Sequence, residues 1–379
     1  MPEPPAKRSN VETLLDILDK KAAAIDMGRV ENAPRFRPKW STLRVQKQKG
    51  VEEGLKRYND LCQHRENLQE SYARLSTLQL AIIDDFTNAT IEKVVGVHNF
   101  RANTKRFLLA TGKKDQNCLT AVIMPRRFGK STVTAFFVAA VALAVPGITI
   151  AIFSPSKRQS TFLLMMVKRA LESSGVRDAG RFVTENAVTI SIRGPTGDQT
   201  DVRTINSYPS RVQSTRGVTA DIIIAEELAQ IDLEVFEQVI LPLLGVEGTA
   251  LIAITTPLGQ ENYYTTLLQS VDQATQKPKW NLIKYSMVCD ECKRKKIAEN
   301  CMHMRHLMPR WKTGYRQELV KSMLPTSSYI TEAQGEFAGH LYACFDEIVI
   351  DEVLTPTYPE SEVTPRQPIH VYCFVDTTS

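Results

Sequence analysis

The 379 residues include 43% hydrophobic and 23% charged side chains, a balance that suits a globular chain with a sizeable core. The formal net charge of +5 is modest, so contact with a polyanion would have to come from local patches rather than the whole surface. The seven cysteines are scattered apart from one cluster, which excludes a disulfide framework and indicates a reducing compartment.

Residues 1–10 are polar with three prolines and do not read as a signal peptide. Residues 1–74 are charged and helix-prone, with apolar positions at helical spacing between Val11 and Leu18. The stretch 35–49 is basic and flanked or interrupted by Pro34 and Pro38. A helical, basic N-terminal arm with a flexible connection is expected there; a solvated extension is the plainer alternative.

From residue 75 to 285 short apolar runs alternate with helical stretches. Strands are expected at Leu119–Met124, Ile148–Phe153, Ala187–Ile192, Asp221–Ala225, Ala250–Thr255 and Leu282–Tyr285. Helices are expected at Ser131–Val145, Gln159–Ser173 and Asn262–Ala274. This alternation predicts an α/β domain with a mostly parallel sheet and helices on both faces. The longest apolar run, Val133–Val145, is too short to cross a bilayer, and no membrane partner is expected.

The segment Thr120–Thr132 reads strand, loop, helix and ends in Gly129-Lys130-Ser131, the close of a Walker A sequence. Such a loop cradles phosphates with backbone N–H groups at a helix N-terminus. Lys130 would bridge the β- and γ-phosphates of ATP, and the Ser131 hydroxyl would ligate Mg²⁺. Arg127, Phe128, Gly129 and Thr132 complete the nucleotide-binding run. Met124 stands where the motif usually has its first glycine. Arg126 and Arg127 add positive charge inside the loop; Arg126 is the candidate transition-state cation, a surface salt-bridge pair the alternative. Gln79, ahead of the first strand, is the candidate adenine contact.

A second apolar strand, Ile222–Ala225, ends in Glu226 and Glu227. A buried parallel strand delivers both carboxylates to the ligand-binding edge of a sheet. Glu226 would hold Mg²⁺, although aspartate is usual at that position, and Glu227 would act as the general base. Together the two motifs specify a P-loop NTPase of the ASCE, RecA-like kind.

Residues 286–355 form a lobe richer in Cys, His, Lys and Arg. Cys289 and Cys292, then Cys301 and His303 with His306 beyond, have the ligand types and spacing of a structural Zn²⁺ site; free thiols and surface histidines are the alternative. The basic run Lys293–Lys296 could meet DNA phosphates or serve as a nuclear import signal; a solvated loop is the simpler reading. Residues 356–368 read as a proline-rich linker, and 369–379 as the first strand of a further domain ending near Asp376.

Taken in order, these segments resemble the terminase large subunits, the DNA-packaging ATPases of herpesviruses and tailed phages. Pro125-Arg-Arg-Phe-Gly-Lys-Ser131 is similar to the glycine-poor herpesvirus loop. Ser214-Thr-Arg-Gly217 precedes the acidic strand as in the family, and Thr255-Thr-Pro-Leu-Gly259 with Tyr263 and Tyr264 is similar to the phage coupling motif. The resemblance implies that Thr255 and Thr256 sense the γ-phosphate and relay hydrolysis. It implies that Cys373-Phe-Val-Asp376 opens an RNase H-like nuclease domain in which Asp376 is the first metal ligand, an incomplete site with no cleavage expected from this chain alone. It further implies double-stranded DNA held through phosphates, a portal protein and other terminase subunits as partners, and a homo-oligomeric ring. The setting implied is the host nucleus for a herpes-like virus, or the cytoplasm of an infected bacterium. A different P-loop translocase or helicase, or a catalytically inactive packaging scaffold, are the competing readings.

Overall fold

The computed structural model describes residues 40–113, 115–176, 180–183, 187–194, 201–210, 217–257, 263–295, 301, 303–304, 309, 312 and 314–336. The expected arm before residue 40, Ser214–Arg216, His306, Lys296, the linker and Asp376 lie outside them.

Eight strands form one sheet: β1 Leu119–Ile123, β2 Thr149–Ser154, β3 Gly180–Val183, β4 Val188–Arg193, β5 Val202–Pro209, β6 Ile222–Glu226, β7 Ala250–Thr255 and β8 Asn281–Lys284. Their order is β3-β4-β5-β2-β6-β7-β1-β8. The six strands from β5 to β8 run parallel, and β4 and β3 pair antiparallel at one edge. The loop-bearing strand β1 thus lies between β8 and β7, and the acidic strand β6 follows beyond β7. One strand, β7, therefore separates the loop-bearing strand from the acidic strand.

Alternate residues of each strand enter two different cores. Ile222, Ile224, Ile252 and Ile254 face one core, and Ile223, Ala225, Leu251 and Ala253 face the other. Helices cover both faces, as read from the sequence. The long helices are α1 Trp40–Ser71, α2 Thr77–Val95, α3 Val97–Ala110, α4 Lys130–Ala144 and α5 Lys157–Ser173. Apolar around almost its whole circumference, α4 must be covered on all sides. It lies between the sheet and an outer layer that includes α1.

The stretch 35–49, expected as a flexible basic connection, is helical from Trp40 onward. Val51, Gly54, Leu61 and Leu68 put one narrow stripe of α1 inward. Gly54 is required by close approach: a Cβ there would lie 2.7 Å from the Phe107 ring. Val51, Leu61 and Leu68 share a core with Phe136 and Leu163, so the packing does not break at the boundary drawn at residue 74.

The helix expected over Asn262–Ala274 is a correction. It runs only Tyr263–Leu268. Asp272 captures the backbone N–H of Ala274 and Thr275 at 3.1 and 2.7 Å, and that local turn outcompetes a further helical turn. Among the described residues no helix is long and apolar enough to cross a membrane.

Candidate nucleotide site

Parallel register brings the ends of β1, β7, β6 and β2 to one edge of the sheet, where Ile123 is level with Thr255 and Glu226 with Ile254. The loop after β1 begins differently from a glycine-rich one. Met124 donates its backbone N–H to Thr255 O at 3.1 Å, and its side chain is buried in the core. The missing first glycine is therefore an extension of the strand pairing. The turn is made later, by Arg127 at φ 61° and Gly129 at φ 82°. A left-handed arginine costs of order 1–3 kcal/mol, which the surrounding packing must offset.

Lys130 opens α4 and is 9% exposed. Its Nζ lies 3.3 Å from Glu227 Oε1. Burial pushes the Lys130 ammonium below its ordinary pKa, and Glu227 opposes that shift. The next residue, Ser131, donates its hydroxyl to Glu226 Oε1 at 2.7 Å. Ser154, at the end of β2, donates to the other oxygen, Glu226 Oε2, at 3.2 Å. Burial raises the Glu226 pKa, while the Ser131 and Ser154 hydroxyls pull it back.

Glu227 leaves the strand at φ 50°, so the chain is left-handed at both the loop and the acidic turn. Its Oε2 accepts from Thr256 N at 3.1 Å and from Thr256 Oγ1 at 3.0 Å. Thr255 is placed differently: Ala229 N donates to its Oγ1 at 3.3 Å, and it donates to Thr256 O at 2.9 Å. Lys130, Ser131, Glu226, Glu227 and Thr256 thus form one contiguous network.

Other expected residues sit around it. Gln79 is 4% exposed, not on the helix surface. Its Nε2 donates to Phe128 O at 3.4 Å, and its Oε1 accepts from Ser76 N at 2.9 Å in a capping box. Both ends of that amide are engaged by the protein. Phe128 turns its ring into the core, leaving its backbone to the loop. Thr132 is half-buried on the first turn of α4. Arg126 pairs with a carboxylate of the lobe: its Nε lies 2.8 Å from Glu332 Oε2, and its side chain is 61% exposed.

Sequence reading missed three residues here. Ser154 follows an apolar strand and could have been read as a strand-end hydroxyl. Glu332 and Lys312 belong to no motif. Lys312 Nζ lies 4.5 Å over the Phe128 ring. The residues 330–336 press on the other end of the loop. Arg126 N donates to Glu332 O at 2.8 Å, and a Cβ on Gly335, φ 77°, would lie 2.8 Å from Pro125.

The four expected zinc ligands also meet. The ligand atoms of Cys289, Cys292, Cys301 and His303 all lie within 4.8 Å of one another. His303 Nδ1 is 3.4 Å from Cys289 Sγ and 3.6 Å from Cys292 Sγ. Tetrahedral zinc with ordinary bond lengths separates sulfur from nitrogen by about 3.5 Å, so the donor set fits that ion. In the basic run nearby, exposed Lys295 pairs with Glu291 at 2.6 Å.

A family model for the terminase large subunit, T4likevirus-type, N-terminal, matches residues 122–340, more than half of the chain. No curated protein matches. Among solved structures, the chain is similar to the large terminase ATPase domain of Thermus phage P74-26, at 18% identity and a TM-score of 0.38, covering 54% of this chain and 93% of that one. It is also similar to the large terminase of bacteriophage HK97, at 12% identity and a TM-score of 0.46, covering 61% of this chain and 49% of that one.

Proposed function

The chain belongs to the terminase large-subunit family, the DNA-packaging ATPases, and on that premise we propose how this site divides the work of hydrolysis. The observation that carries the reading is the pairing of two neighbouring loop residues with two neighbouring carboxylates: Lys130 with Glu227, and Ser131 with Glu226.

Lys130 binds the β- and γ-phosphates, exchanging Glu227 for the substrate. The backbone N–H groups at the start of α4 hold the same oxygens. Ser131 and Glu226 supply the hard oxygen donors that suit Mg²⁺; when bound, that ion neutralises phosphate charge. Glutamate serves in place of the usual aspartate because its two oxygens already span Ser131 and Ser154. Released from Lys130, Glu227 orients and deprotonates the attacking water. Thr256 fixes Glu227 through two hydrogen bonds, so any change at that carboxylate is felt directly in the segment after β7. Thr255 secures the same segment to Ala229. Arg126 exchanges Glu332 for the developing charge on the γ-phosphate. Gln79 acts on the loop through Phe128 rather than on adenine.

Cys289, Cys292, Cys301 and His303 hold a structural Zn²⁺ that stiffens the lobe. The partners in this reading are double-stranded DNA gripped through its phosphates, a portal protein, other terminase subunits and further copies in a ring. The arginine pair of the loop and the Cys/His cluster favour a herpes-like virus and a host nucleus.

The test is ATP hydrolysis by wild type, Lys130→Ala and Glu227→Gln, with and without DNA. General-base removal should cost about 10²–10⁴-fold. Wild-type rates in both variants would overturn the assignment.

A further inference from the structure

The loop's positive charge does not come only from the loop. Lys312 reaches it from the lobe, through a segment remote in sequence from the Walker A residues. Its ammonium is placed over the Phe128 ring, next to the residue whose backbone precedes Gly129. Among the described residues no carboxylate accompanies it. Instead its neighbours are the Lys130 ammonium and the Arg127 guanidinium. Burial, then those two cations, lower the Lys312 pKa to about 8. Carboxylates lie nearby, but they belong to others: Glu227 to Lys130, and Glu332 to Arg126. Lys312 thus brings a further cation to the loop, where Lys130 is already held by Glu227.

We propose that Lys312 is a second phosphate-binding lysine, carried by the lobe, which moves from the Phe128 ring onto the β- and γ-phosphates opposite Lys130. The inference rests on the nucleotide reading of the P-loop given above. It gives the lobe a direct report of nucleotide state. With triphosphate bound, the lobe is drawn down on the loop. After the γ-phosphate leaves, Lys312 returns to the ring. The Phe128 ring is a resting place of suitable kind, because an aromatic face accepts a cation without neutralising it. A merely structural lysine would have the same contact but no reason to prefer triphosphate to monophosphate.

Equilibrium binding of ATP, ADP and AMP to the full chain decides it, in Mg²⁺ at low salt, for wild type, Lys312→Met, Lys312→Arg and Lys130→Ala. Lys312→Met should weaken ATP about tenfold, the scale of one lost charge-assisted contact, and leave AMP unchanged. Lys312→Arg should restore ATP affinity. Only the protonated amine binds phosphate, so wild-type affinity should fall as pH rises from about 7 to 9, by at most about tenfold per unit for one linked proton. Arginine stays charged throughout, so Lys312→Arg should hold its affinity over that range. A Lys312→Met chain that binds ATP like wild type overturns the proposal, and so does an equal pH profile in wild type and Lys312→Arg. Failure of the nucleotide reading looks different: Lys130→Ala would then bind ATP as well as wild type.

Discussion

The two sides of the P-loop are built by opposite means. On the sheet side, Glu226 ends a strand buried at every position, and Lys130 starts a helix buried nearly all round. Their geometry follows from strand register and cannot relax without disturbing both cores. On the lobe side, Glu332 arrives on a short helical turn and Lys312 meets the Phe128 ring, and Arg126 is largely exposed where it meets Glu332. The sheet side fixes atoms; the lobe side offers contacts that can be exchanged. Chemistry that needs sub-ångström placement belongs on the first, and a response to nucleotide on the second.

The sharpest way to break this contrast is Glu226→Gln. If the sheet side carries the metal-dependent step, hydrolysis should fall by about 10²-fold or more, the scale of losing a preorganised charge. Stability should move the other way. Burial raises the folded pKa of Glu226 above its unfolded value. Such a group contributes stability below the unfolded pKa, and that contribution is lost as pH rises through the folded pKa. That stability is lost as pH rises past the ordinary carboxylate range, so a neutral glutamine should raise the melting temperature at neutral pH, less so in acid. Thermal melts at pH 4 and pH 7 check the sign. A variant that is both active and unchanged in melting would place the metal elsewhere.

Legibility in the sequence divides along the same line. The strands and the two motifs were readable because buried parallel strands are apolar runs, and because Lys, Ser and paired Glu at their ends have few other uses. The strand β5, Val202–Pro209, escaped notice because its inward positions include Arg203 and Ser207. Arg203 is tolerated inside because its guanidinium donates to Ala142 O at 2.8 Å and to Leu143 O, and pairs with Asp201 at 2.9 Å. A helical arm was expected where α1 runs, but its packing into the core was not, because only a thin stripe of it is buried. The left-handed residues Arg127 and Glu227 could not be seen, since neither is the glycine that announces such a turn. Lys312 and Glu332 were invisible for a stronger reason: a contact made in space between distant segments leaves no spacing to read.

An intermediate effect is expected from removing the metal proposed for the lobe. Purified protein should hold about one equivalent of zinc, and chelation or Cys292→Ser should release it and speed proteolysis within residues 286–336 by about tenfold or more. The sheet should not follow, because Cys292 and Cys301 pack in their own small cluster with Val288, separate from the two cores. Hydrolysis should therefore fall less than in Glu226→Gln. Zinc well below one equivalent, with Cys292→Ser folding normally, would remove the metal from the account.

The smallest effect tests whether the lobe contacts are exchangeable at all. Glu332→Gln removes the charge that holds Arg126, while the backbone bond from Arg126 N to Glu332 O remains. The lobe also keeps its Lys284–Glu336 pair at 2.8 Å and the bond from Met287 N to Gln334 O at 2.9 Å. An exposed pair of this kind is worth at most about 1 kcal/mol, so melting should barely change. What should change is turnover. An Arg126 no longer held by Glu332 reaches the γ-phosphate at less cost, and steady-state hydrolysis should rise about two- to threefold, the rate equivalent of a few tenths of a kcal/mol. Loss of activity by tenfold would mean that Glu332 positions Arg126 for the reaction instead of holding it back, and the lobe side would then be as fixed as the sheet side.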